Sequence, residues 1–137
     1  MILVDTNVLI DILGDDIAHR EWSQRELDRA LINHQLAINP VVYAEISPPY
    51  ATQAALDKVL AMMKIVIEPM STRALFLAGK AHHAYRRRGG MQTRALPDFL
   101  VGAQAMALDV ALITRDVARY RTYFPKLRLI APNGKSE

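Results

Sequence analysis

Ile2-Leu3-Val4-Asp5-Thr6-Asn7 decides how this chain is read, and Val110-Ala111-Leu112-Ile113-Thr114-Arg115-Asp116 repeats its logic near the other end. Each is a short continuous apolar run that stops abruptly at polar residues. Such a run, with β-branched members, predicts a strand covered on both faces, as in a parallel sheet. In the first stretch Asp5-Thr6-Asn7 also supplies cap chemistry for a helix over Val8 to Leu13. Gly14-Asp15-Asp16 ends that helix in a loop.

Working outward, residues 18–34 predict a helix with Trp22, Leu27, Ala30 and Leu31 near one face. Leu36-Ala37-Ile38 is a second strand. Asn39 caps the next helix, Pro40 occupies its first position, and Pro48-Pro49 ends it. A further helix covers 52–62, and Ile65-Val66-Ile67 is a third strand. Ser71 caps a helix carrying Ala74, Leu75, Ala78, Ala81, His82 and Tyr85 at helical spacing. That helix closes at Arg86-Arg87-Arg88-Gly89-Gly90, where late cations and paired glycines suit a C-terminus. Met91 to Ala95 is unpatterned and predicts a loop. Pro97 starts another helix, with Asp98 in its first turn, and Phe99 to Leu108 is apolar nearly all round, which predicts a central, closely packed element. Leu127-Arg128-Leu129-Ile130 is a fifth strand, at an edge.

Short apolar strands alternating with helices predict an α/β sandwich on a parallel sheet. Residues 1–131 read as one domain and 132–137 as a short tail. The 137 residues are 51% hydrophobic and 23% charged, ordinary for a soluble globular domain. There is no cysteine, which excludes disulfides, thiolate metal sites and cysteine nucleophiles. The first apolar run is too short for a signal-peptide core, and no stretch reaches the roughly 18 residues of a membrane span, so a cytoplasmic protein is expected. A net charge of +3 is compatible with a polyanionic partner.

The acids fall into place on this map. Asp5 follows the first strand and Asp116 the fourth. Asp98 begins the helix leading into the fourth strand, and Glu45 lies in the helix after the second. Parallel sheets bind ligands at the carboxyl ends of their strands, so all four can face one rim. Each also has a plain structural use: Asp5 as a cap, Asp98 on a helix dipole, Glu45 on an exposed helix face, Asp116 in a loop. Together they suit a hard divalent cation such as Mg²⁺ or Mn²⁺, which prefers carboxylate oxygens and serves phosphodiester hydrolysis.

The same residues resemble a known family. Met1-Ile2-Leu3-Val4-Asp5-Thr6-Asn7-Val8-Leu9-Ile10 is similar to the start of PIN-domain nucleases. Glu45 in Val41-Val42-Tyr43-Ala44-Glu45-Ile46, the segment Leu96-Pro97-Asp98-Phe99-Leu100-Val101-Gly102-Ala103-Gln104-Ala105 and the segment Leu112-Ile113-Thr114-Arg115-Asp116 resemble their later acidic motifs, in order over nearly the whole chain. The size resembles the VapC-like toxins of type II toxin–antitoxin modules. The resemblance implies a three-layer α/β/α sandwich and a Mg²⁺- or Mn²⁺-dependent endoribonuclease. It implies metal-binding acids at Asp5, Glu45, Asp98 and Asp116, with Thr6, Asn7 and Thr114 as supporting polar groups. It implies a homodimer and a VapB-like antitoxin as partners.

Other residues invite chemistry. Arg86, Arg87 and Arg88, with Arg94, Arg115 and Arg119, offer phosphate contacts to RNA, or only a solvated helix end. Tyr120, Tyr123 and Phe124 offer base stacking, or packing on the last strand or a dimer contact. His82 and His83 diverge by about 100° on a helix and are poor partners for one ion; His82 reads as a satisfied core or interface histidine. Glu68 is a rival acid after the third strand, and Asp11 an outer group at most. Trp22, Met62 and Met63 read as core or antitoxin-facing surface. No glycine-rich phosphate loop is present. A catalytically silent RNA-binding or regulatory domain is the alternative function. Transfer, ribosomal and messenger RNA remain equally open as substrates.

Overall fold

The computed structural model describes residues 1–14, 17–91 and 95–132. Twelve elements alternate along them: β1 (Ile2–Val4), α1 (Thr6–Leu13), α2 (Ile17–Leu31), β2 (Leu36–Ile38), α3 (Pro40–Ile46), α4 (Gln53–Met62), β3 (Ile65–Ile67), α5 (Thr72–Arg87), α6 (Ala95–Leu108), β4 (Ala111–Ile113), α7 (Val117–Tyr123) and β5 (Leu129–Ile130). The strands form one sheet in the order β3-β2-β1-β4-β5. Every pairing is parallel, for example Leu3 with Ala37 on one side and with Leu112 on the other. Helices flank the sheet in an α/β/α sandwich, as expected.

The apolar runs work as strands because both of their faces are covered. All residues of β1 and β2 are buried, as are Leu112 and Ile113 of β4. Edge strand β3 departs from this: Ile65 is buried, but Val66 and Ile67 are exposed. The chain runs outward from β1 to β2 and β3, then crosses back through α5 and α6 to β4. The order therefore reverses between β1 and β4, and the carboxyl ends of those two strands flank the crevice where such sheets bind ligands.

Several boundaries differ from expectation. Helix α1 begins at Thr6 rather than Val8, because Asp5 alone supplies the cap. Helix α6 begins at Ala95, two residues before Pro97. Proline is tolerated there because the first four amides of a helix have no intrahelical partner anyway. Helix α7 was not expected at all. Strand β5 is only Leu129–Ile130, at the sheet edge. The expected loop residues Asp15 and Asp16, most of the loop before α6 (Gln92, Thr93 and Arg94) and the tail from Asn133 to Glu137 lie outside the described residues.

Helix α6 is the central helix its composition predicts, with Ala95, Phe99, Val101, Gly102, Ala103, Gln104 and Ala105 buried. Its small residues let neighbours approach closely. A methyl group at Gly102 would lie 2.7 Å from Cε2 of Phe124 and 3.0 Å from Cε1 of Tyr120. Glycine here lets the rings of and after α7 sit directly on the α6 backbone. Around Phe99 gather Tyr85 at 5.5 Å, Tyr123 at 5.1 Å and His82 at 5.7 Å between ring centroids. His82 is thus a half-buried member of an aromatic cluster rather than a satisfied core residue: its Nε2 is buried without a hydrogen-bond partner. The contacts of His82 and Tyr85 with Phe99 place the C-terminal part of α5 beside the start of α6, where Asp98 lies.

Candidate active site

The crevice between β1 and β4 is built around Asp5. Because β1 is buried and ends at Val4, Asp5 is delivered to the strand's carboxyl end already desolvated, at 3% exposure. Its Oδ1 accepts the Thr6 backbone N–H at 2.8 Å, which caps α1. Its Oδ2 accepts the Thr114 hydroxyl at 2.7 Å, the Tyr120 hydroxyl at 2.9 Å and the Asn7 Nδ2 amide at 3.3 Å. Every one of these donors is neutral. Burial pushes the Asp5 carboxyl up to about 6, and the negative charge of Asp98 adds to the rise, while the Thr114, Tyr120 and Thr6 hydrogen bonds oppose it.

The two loops that carry the site are tied to each other. Asn7 Oδ1 accepts the Arg115 backbone N–H at 3.1 Å, and Asn7 Nδ2 also reaches Thr114 Oγ1 at 3.3 Å. Thr114 Oγ1 in turn accepts the Asp116 N–H at 3.0 Å. Asp116 stands at the N-cap of α7, yet its side chain makes no capping hydrogen bond. Its carboxylate is therefore not spent on the helix. The exposed carboxylate of Glu45 accepts the Thr6 hydroxyl at 2.7 Å, which fixes α3 against α1.

Asp98, in the first turn of α6, forms an ion pair with Arg119 of α7. Burial still raises its carboxyl above the usual range, helped by the charges of Asp116 and Glu45, and Arg119 opposes the rise. The electrostatic links run Asp5 to Asp98, Asp98 to Asp116 and Asp98 to Glu45. The fold thus brings the four acids, drawn from four separate segments, into one field. Among the described residues, no group of three or more acids or histidines is set at metal-holding distances. The donor set still fits a hard divalent cation in kind: oxygen ligands only, mutually repelling, and costly to keep charged without a counter-cation.

Tyr120 is the site residue that sequence reasoning missed. It is completely buried, so it neither stacks bases nor forms a dimer contact. Burial and the charge of Asp5 push its phenol well above the ordinary value, so it remains a hydrogen-bond donor to Asp5. The helical spacing of Val117, Tyr120 and Phe124 was the available signal. Arg115 and Asp11 were also paired in a way the sequence did not announce. Asp11 is buried in α1 and takes both Nε and Nη2 of Arg115, at 2.7 and 2.8 Å, as well as the Ser23 hydroxyl at 2.7 Å. Arg86, Arg87 and Arg88 are exposed and follow directly on Tyr85, whose ring lies under the Arg119 guanidinium at 5.7 Å. The Arg88 guanidinium lies over Tyr123 at 5.7 Å. Glu68 is half-buried, and its backbone, rather than its carboxylate, is used: the carbonyl accepts Gln104 Nε2 at 3.2 Å.

Comparison with known structures agrees with this architecture. A chain of VapBC2 from Rickettsia felis, bound to a DNA fragment from their promoter, superposes with a TM-score of 0.72 at 22% identity, covering 96% of this chain and 98% of that one. A chain of VapBC-1 from nontypeable Haemophilus influenzae gives 0.73 at 19% identity, with coverage of 96% and 98%. A toxin–antitoxin complex from Klebsiella pneumoniae gives 0.68 at 21%, with coverage of 95% and 96%. No curated protein sequence matches the chain significantly. The PIN domain model matches residues 2–125, nearly the whole length, and the chain therefore belongs to the PIN domain family.

Proposed function

We propose that this chain is a divalent-metal-dependent endoribonuclease, the cytoplasmic toxin of a VapBC-type toxin–antitoxin pair. The observation that carries the reading is the state of Asp5: a buried carboxylate given four neutral donors and no cation of its own, in the field of Asp98. A structural carboxylate at that depth is ordinarily paired. One held this way is suited to take a metal ion, and Asp98, Asp116 and Glu45 are the companions that would complete the ligand set. Mg²⁺ or Mn²⁺ bound there supplies charge relief and a more acidic water for phosphodiester hydrolysis.

The chain's own residues have definable parts in this reading. Thr114, Tyr120, Asn7 and the Thr6 amide fix the direction of the Asp5 carboxylate. Thr6 orients Glu45. Arg86, Arg87 and Arg88 offer exposed cations to the RNA backbone beside the aromatic cluster of Tyr85 and Tyr123. Arg115 has its guanidinium held by Asp11, so its contribution to RNA binding is the smallest of the four arginines. The antitoxin is expected to cover the acidic rim. An apolar pocket of about 260 Å³, lined by Ile10, Leu13, Ile46, Pro48, Pro49 and Tyr50, opens beside Glu45 and supports a partner with an apolar anchor. Homodimerisation belongs to the same reading through the neighbours' family.

The test is cleavage. Purified, partner-free protein is incubated with total cellular RNA and Mg²⁺ or Mn²⁺, and new RNA ends are mapped by sequencing, with Asp98→Asn and EDTA controls. Discrete ends, lost in both controls, are expected. Folded, metal-binding protein that produces no ends in any RNA pool would favour the silent RNA-binding domain instead.

A further inference from the structure

Arg119 occupies a position that its sequence context does not explain. It lies on α7 one residue before Tyr120, and its guanidinium is directed into the acid cluster, onto Oδ2 of Asp98. Its side chain is 18% exposed and that of Asp98 31%, so the pair is partly shielded from bulk water. The guanidinium also lies over the Tyr85 ring, 5.7 Å from its centroid. Tyr85 packs against Phe99, the residue after Asp98, with 5.5 Å between ring centroids. Arg119 thus has an aromatic platform that holds it at the rim independently of Asp98.

We propose that Arg119 is the built-in counter-cation of the acid cluster, which a divalent ion has to displace from Asp98, so that this side chain sets the ion concentration at which the site loads. The inference rests on the metal reading above. A guanidinium and a divalent ion compete for the same carboxylate lone pairs, because both need the Asp98 oxygens along their in-plane directions. Displacement does not strand the arginine in solvent, since the Tyr85 face retains it. Arg119 is a positioning residue here: it acts through Asp98 on the ion, not on the substrate.

The test uses MnCl₂ as the probe and the full-length chain without RNA. Isothermal titration calorimetry compares wild type, Arg119→Met, Arg119→Lys and, as a control for loss of one charge elsewhere, Arg88→Met. Arg119→Met is expected to bind Mn²⁺ about five- to tenfold more tightly, as for removal of a competing, partly buried ion pair. Arg119→Lys should fall between Arg119→Met and wild type, and Arg88→Met should match wild type. A parallel NMR titration of wild type with MgCl₂ follows the Arg119 side-chain Nε–H resonance, assigned by its loss in Arg119→Lys. That resonance should move with the same midpoint as Mg²⁺ binding. Unchanged or weaker Mn²⁺ binding by folded Arg119→Met, or a stationary Arg119 resonance while Mg²⁺ binds, overturns the proposal. If Arg119→Met does not fold, the wild-type resonance decides. If wild type and Arg119→Met both bind no divalent ion, the metal reading itself falls, and this proposal with it.

Discussion

Two aspartates of the first helical segment are buried to almost the same degree, and the chain treats them oppositely. Asp11, at 1% exposure, is given a bidentate arginine and a serine hydroxyl. Asp5, at 3%, is given two hydroxyls, an amide side chain and a backbone N–H, with no cation. Asp11 follows the usual rule that a buried charge must be paired. Its partners come from α2 and from the loop after β4, so the pair fastens α1 to both. Asp5 breaks the rule, and the unrelieved cost appears as a carboxyl pushed up to about 6. The difference separates a carboxylate that holds the fold together from one kept ready for something the fold does not provide.

The comparison can be broken by exchanging the two outcomes. The largest effect expected is on cleavage: Asp5→Asn and Asp98→Asn each lower the rate about a thousandfold or more, and the double variant is little worse than either, since groups acting as one unit are not additive. Kinetics on a mapped RNA site checks this, and near-normal cleavage by Asp98→Asn would falsify the assignment. Asp11→Asn should show the reverse, with stability falling by about 3 kcal/mol because the buried carboxylate that pairs with Arg115 loses its charge. Urea unfolding measures it, and the remaining folded fraction should retain metal binding.

The pH dependence sharpens the contrast. Burial pushes the Asp5 carboxyl up to about 6 in the folded protein, from an ordinary value of 3.8, so the folded state holds this proton more tightly than the unfolded chain does. The corresponding stability is fully present below about pH 4 and is lost as pH rises through 6, on the order of 2 to 3 kcal/mol. In EDTA, unfolding free energy followed from pH 4 to 7.5 should decline over that window, and Asp5→Asn should flatten the decline. A wild-type curve that is flat there would count against the buried, unpaired state of Asp5. The smallest effect belongs to Tyr120→Phe, which removes one donor from Asp5. It should cost about 1 kcal/mol and move the Asp5 titration further up, readable as an alkaline shift of the same decline.

Most of the fold was legible in the sequence because its strands are short apolar runs cut off by polar residues. Ile2-Leu3-Val4, Leu36-Ala37-Ile38 and Ile65-Val66-Ile67 coincide with β1, β2 and β3. Asn39 and Ser71 cap their helices through their own side chains, as local chemistry foretells, and Thr52, expected inside its helix, caps it instead. Helix α7 was hidden because it buries a single side chain, Tyr120, so its seven residues look like a polar loop with tyrosines. What could not be read locally is who meets whom. Tyr120 finds Asp5 115 residues away, and Arg115 finds Asp11 across 104. Glycine at 102 has a comparable role without any chemistry of its own, since it leaves room for the Tyr120 and Phe124 rings.

The strand order carries a temporal consequence. The first strand made is the centre of the sheet, and it stays open on one flank until β4 exists. Asp5 meets Thr114 across 109 residues and Tyr120 across 115, so its cradle is among the most non-local contacts in the molecule. Loop-closure entropy delays such contacts until late in folding. On a ribosome, a nascent chain shorter than 120 residues lacks the last member of that cradle. The acid site is thereby kept unassembled while every strand before α7 is being made.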